Sequence, residues 1–239
     1  MPISLLQAAP IVLAMAGGAV CERPPPPEII VRPVTTDVTV DNSRSIDELS
    51  SFEVETTMPD AFDGGEVHGL MQGAISLTTT TLISWKIDNV TDQACFWFDK
   101  IELEIRLEPF IYVGKETKPG SCRYREVYNH EVKHVNVDRR IVNEYVPIFK
   151  QSIQDFVNQR PVFGPYPANL TQDIRKQMTG ALRLWYEPVQ INMDLDRASE
   201  QMDVDTVEEY RRVANACPDE KKRSQNSRHR HNSVTRGLY

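Results

Sequence analysis

The chain has 239 residues, 40% of them apolar, which is enough for one good-sized domain or two small ones with a real core. A formal net charge of -7 and an isoelectric point near 5.3 exclude nucleic acid as the main partner, because phosphate binding needs a basic face. The four cysteines, Cys21, Cys95, Cys122 and Cys217, have no CxxC spacing, which excludes a zinc ribbon or a thioredoxin-like motif.

Residues 1–20 carry no charged side chain and end in small residues, the pattern of a secretory signal with a cleavage zone. Pro10 and the Gly17-Gly18 pair argue against a membrane span there. The expected location is therefore secreted or periplasmic, where disulfides are the default state of cysteine. Cys95 to Cys122 is the preferred pair, and Cys21 is an alternative site of lipid attachment. Residues 21–28, with four consecutive prolines, read as a semi-rigid linker.

A single domain is expected over residues 29–217. Its first half is strand-like up to about Val113, through IIVRPVTTDVTV, GLMQGAISLTTTTLISWKID and CFWFDKIELEIRLEPFIYVG. In the last of these Ile101, Leu103, Ile105 and Leu107 alternate with Glu102, Glu104, Arg106 and Glu108, so one side of the sheet faces water. After KPGS, with Ser121 as a cap, helical spacing runs from Cys122 to Phe149, and a second helix follows a kink at Pro147. RPVFGPYPANL reads as a loop, and another helix spans about Thr171 to Asp196 with a break or bend at Pro188. A short helix starts near Thr206, and residues 218–239 form a basic, disordered tail. The fold class is α+β: an antiparallel β-rich part, then a helical part.

The chemistry concentrates in His130-Glu131-Val132-Lys133-His134. Histidines four apart on a helix stack one turn above each other and can aim at one metal ion, with Glu131 beside them as a general base. Zn2+ is the expected cofactor. Asp138, one turn further on, suits a supporting role: accepting the second imidazole N–H of His134, or meeting Arg139 or a neighbouring helix. A catalytic zinc takes three protein ligands. The other histidines, His68, His229 and His231, suit that role less well than a carboxylate from QMDVDTVEEY, which holds Asp203, Asp205, Glu208 and Glu209.

SCRYREVYNHEVKHVNVDRR and the later Asp203-Val204-Asp205-Thr206-Val207-Glu208 resemble a bacterial family of predicted secreted zinc-dependent proteases with an HExxH helix and a C-terminal Asp-x-x-Thr-x-His-Gly motif. Here Glu208 stands where the family has the histidine. The resemblance implies a gluzincin-like ligand set of His130, His134 and Glu208, with Glu209 and Asp205 as substitutes. It also implies a peptidase acting on protein or peptide substrates. Tyr128, Tyr210 and Arg211 are the candidate oxyanion donors. The rival reading is a non-catalytic exported or envelope-associated binding protein.

Overall fold

The computed structural model describes residues 21–52 and 68–218. The signal-like segment 1–20 and the tail from residue 219 lie outside the described residues. Among the described residues no helix is long and apolar enough to cross a membrane.

The protein is built around one strand. The alternating segment forms β4, Gln93–Val113, and every other described strand pairs with it. β3, Gly69–Asp88, runs antiparallel along its whole length. β1, Glu28–Thr35, and β2, Thr39–Asp41, follow its other edge in parallel, and β5, Phe163–Pro167, adds a short antiparallel ladder at its start. The expected antiparallel sheet is therefore corrected to a mixed one. Periodicity reports which face a side chain takes, and it is identical for both directions of pairing. The stretch between β2 and β3, expected to be extended, contains α1, Ile46–Ser50, opened by a capping box of Ser45 and Glu48.

The alternation places Ile101, Leu103, Ile105 and Leu107 on the inner face with no exposure, while Glu102, Glu104 and Arg106 lie on the outer one. Two long helices cover the inner face: α2, Cys122–Gln159, and α3, Thr171–Val204. Ser121 caps α2 by accepting the Tyr124 N–H at 3.1 Å. Neither Pro147 nor Pro188 ends its helix. A proline costs a helix about 3 kcal/mol, and the packing of α2 and α3 against the sheet outweighs it. That packing is a core of Phe96, Phe98, Phe149, Ile153, Met178 and Leu182, with a smaller cluster of Ile111, Val113, Val127 and Val135 near the start of α2. A final helix, α4, Val207–Asn215, is capped by Thr206, which accepts the Glu209 N–H.

All four cysteines are paired, as Cys21–Cys95 and Cys122–Cys217. This corrects the expected Cys95 to Cys122 pair and removes the Cys21 sulfur from lipid attachment. Connectivity is a property of the fold: the first bridge pins the proline-rich linker to the start of β4, and the second ties the first residue of α2 to the chain just beyond α4.

Candidate metal centre

The site grows from two matched ladders. On α2, His130, His134 and Asp138 recur every four residues, so they line one face. On α3 and its C-cap, Arg197, Gln201 and Asp205 do the same. The helices run antiparallel, and the two ladders meet rung by rung.

At the lowest rung Asp138, with no exposure, accepts Arg197 Nε at 2.7 Å and Arg197 Nη2 at 3.2 Å. Arg197 Nη2 also donates to the Gly73 carbonyl at 3.1 Å. At the next rung Gln201 Nε2 donates to Asp138 Oδ1 at 2.6 Å and to the His134 carbonyl at 3.2 Å. Both partners are acceptors, so the amide can face only one way, with Oε1 towards His134 Nδ1. The proton of that ring therefore sits on Nδ1 and the Nε2 lone pair points outwards. Asp138 meets a neighbouring helix, one of the roles read from the sequence, and it is Gln201 that accepts the second imidazole N–H of His134.

At the upper rung the Nε2 atoms of His130 and His134 each lie 3.2 Å from Asp205 Oδ1. The Tyr210 hydroxyl donates to the same oxygen at 3.1 Å. A carboxylate oxygen has two lone-pair sites, so three neighbours crowd Oδ1, and the His134 lone pair faces it directly. A cation between the groups, proton or metal ion, reconciles the arrangement. The spacing suits a metal: ligands at two corners of a tetrahedron with bonds of about 2.0 Å lie roughly 3.3 Å apart. His130, His134 and Asp205 form a buried group, with ligand atoms all within 4.8 Å of one another, that could hold a metal ion.

The electrostatics agree. Burial alone lowers the pKa of His134, but the hydrogen bond and charge of Asp205 outweigh it and the net shift is upward, so positive charge is favoured at this point. Glu131, 4% exposed, lies beside the histidines, and its pKa is pushed up to about 7 by burial, against the opposing pull of His130 and His134. Burial also raises the Tyr210 hydroxyl above its usual range, with Asp205 adding to the effect, so the phenol keeps its proton.

Glycine makes room for this. On β3 Gly69 and Gly73 lie four residues apart and face α2. A Cβ at Gly69 would fall 2.7 Å from Glu131 Oε1 and into Val127, and one at Gly73 would collide with the Asp138 carboxylate. Only bare backbone lets the polar face of α2 come this close to the sheet.

The structure brings His130, Glu131, His134 and Asp205 together, and it leaves Glu208 outside on the exposed face of α4. Asp205 ends α3 and so points back along the ladder. Glu208 falls in the first turn of α4, whose inner face belongs to Glu209 and Tyr210. Glu209 approaches His130 Nδ1 at 3.4 Å but is held by Lys133 and Arg212, and the Arg212 hydrogen bond, the largest influence, keeps its pKa down at about 2. Of the candidate oxyanion donors Tyr210 is at the site, its ring 5.7 Å from His130. Tyr128 stacks on Tyr124 instead, and Arg211 is exposed. His68 lies just before β3 and is not part of the His130, His134 and Asp205 group, and His229 and His231 lie outside the described residues. Sequence reasoning missed Gln201 and Arg197. The signal was there: a second polar ladder at four-residue spacing, in register with the first.

Comparison with known proteins finds no matching family model, no matching curated protein and no matching solved structure.

Proposed function

We propose that the protein is a zinc-dependent peptidase, with His130, His134 and Asp205 as the metal ligands and Glu131 as the general base. The observation that carries this reading is the convergence of two imidazole nitrogens on one buried carboxylate oxygen at equal distances, with a further carboxyl group beside them. Two nitrogens and an oxygen form a donor set typical of catalytic zinc, which keeps a position open to solvent or substrate. A bound zinc would supply Lewis acidity, polarising a scissile carbonyl and acidifying a water molecule.

The chain's own groups do the rest. Glu131 accepts a proton from the attacking water and hands it to the leaving amine nitrogen, a transfer suited to a carboxyl group that titrates near neutrality. Tyr210 holds its proton firmly and donates it as a hydrogen bond, to Asp205 at rest and to the oxyanion during reaction. Gln201 and Asp138 hold the His134 ring in the tautomer that offers Nε2.

A second reading has its own observation. His130, Glu131, His134 and Asp205 are each less than a tenth exposed, which also suits a metal that only stabilises a binding protein. Elemental analysis and a quenched-peptide assay separate the two. The purified chain is expected to carry about one zinc, as the three-ligand set requires; His134→Ala and Asp205→Ala lose it, and Glu208→Ala retains it. Glu131→Gln is expected to keep zinc while hydrolysis falls by at least about a hundredfold. Wild type without zinc would sink the metal site. Zinc with no hydrolysis of any peptide would leave the binding-protein reading standing, and an active Glu131→Gln would remove the general base.

A further inference from the structure

The same inner face of the sheet carries a second feature. β3 runs on from Gly73 through Leu77, Thr79, Thr81 and Ile83, roughly 20 Å beyond the metal centre at about 3.3 Å per residue. Here α3 meets the strand through the side-chain pairs Thr79–Tyr186 and Thr81–Thr179, and these residues line an open cleft of about 740 Å³. Its lining holds three cations, Arg175, Lys176 and Arg183, and no acidic side chain. None of the three is in an ion pair among the described residues, although the chain as a whole has a net charge of -7. Arg175 lies over the Trp85 ring at 5.5 Å, and its buried Nε has no hydrogen-bond partner among the described residues.

A glycine supplies an independent observation. Gly180 sits in the interior of α3 on the cleft wall, a position where alanine is the better helix former. A Cβ there would meet nothing within 4 Å among the described residues, so no packing among them accounts for the glycine. Its effect is to leave the helix backbone bare where an occupant of the cleft would approach.

We propose that this cleft binds an acidic oligosaccharide, a short chain of sugars bearing carboxylate or sulfate groups. The cations are spread along the helix, Arg175 and Arg183 being separated by a rise of about 12 Å, which suits two anionic groups on one extended ligand rather than a single phosphate. Between them lie the hydroxyls of Thr81 and Thr179, 3.3 Å apart, and the amides of Gln172 and Gln190 line the cleft on either side of the two arginines along α3; these groups match sugar hydroxyls. The volume is in the range of small-ligand sites. Three cations are too few for the phosphate count of a nucleic acid groove. Bound to an acidic glycan, the protein would be held at a surface, with the metal centre further along the same strand.

Isothermal titration calorimetry of the purified chain at low salt tests this, using an oligogalacturonate, a heparin tetrasaccharide, maltotetraose and hexaglutamate. At least one acidic sugar is expected to bind, more weakly as sodium chloride is added, and the neutral sugar is expected not to. Arg183→Glu and Gly180→Leu, both at exposed helix positions, should each weaken binding at least tenfold without changing zinc content. His134→Ala should bind the sugar like wild type, so failure at the metal centre leaves this test intact. Absence of binding by both acidic sugars, wild-type binding by the two cleft variants, or equal binding of hexaglutamate would each overturn the proposal.

Discussion

The two halves of α2 face the same sheet and the same partner helix with opposite chemistry. From residue 141 onward its buried side chains are Ile141, Val142, Tyr145, Phe149, Ile153, Phe156 and Val157, which meet Met178, Leu182 and Tyr186 of α3. Before residue 141 it buries His130, Glu131, His134 and Asp138, alongside the smaller apolar side chains Val127, Val135 and Val137. The apolar half supplies stability by removing surface from water. The polar half works against it, because each buried charge costs free energy unless fully partnered. The ladder from Arg197 to Asp205 provides partners for Asp138 and His134, and what it maintains is a directed lone pair on His134, while burial holds the neighbouring Glu131 carboxyl near 7. One helix thus carries its framework and its site as separate segments.

The disulfides offer the sharpest way to break that division, since one starts at the polar end of α2 and the other sits on β4, near Phe98, which packs on Phe156 of the apolar half. Their sequence separations are 74 and 95 residues, so by loop entropy removal of either should cost about 4.5 kcal/mol in a denaturation experiment. Their effects on metal binding should differ. Cys122–Cys217 ties the start of α2 to the segment beyond α4, alongside Arg123, which donates to the Val213 carbonyl at 2.8 Å. Replacing both of its cysteines with serine should weaken zinc binding in a chelator competition, while the same change at Cys21–Cys95 should not. Equal losses would mean that the two halves are one unit.

A smaller effect is expected inside the polar half. Gln201→Leu keeps the volume but releases the His134 ring, and zinc affinity should fall about 10- to 100-fold, with Glu131 and the three ligands untouched. Unchanged affinity in the same competition would show that the ladder serves packing alone.

The smallest effect lies at the junction. Tyr145 donates to Asp196 Oδ2 at 2.6 Å, and burial, then this bond, pushes its pKa up to about 12. A phenol is neutral below its pKa, so a raised folded value means that the folded state holds the proton more tightly. That stability is fully present below about pH 10, the unfolded value, and is lost as pH rises through about 12. Tyr145→Phe should cost about 1 kcal/mol at neutral pH, Asp196 being exposed. It should also flatten the alkaline limb of the denaturation profile between those values. An identical limb in the variant would place the titration elsewhere.

Much of this was legible in the residues themselves. The alternation of Ile101 to Leu107, the Ser121 cap, the existence of α2 and α3, and the stacking of His130 on His134 are all set by periods of two and 3.6 residues, which depend only on neighbours along the chain. The direction of β1 and β2, the disulfide pairs, the continuity of the helices through Pro147 and Pro188, and the choice of Asp205 over Glu208 were decided by tertiary structure. Each depends on groups far apart in sequence: Asp205 reaches His134 across 71 residues. Whether a carboxylate faces a histidine there depends on where α3 ends and how α4 turns away. Local sequence can offer several acids, but the packing of one helix against another selects which of them arrives.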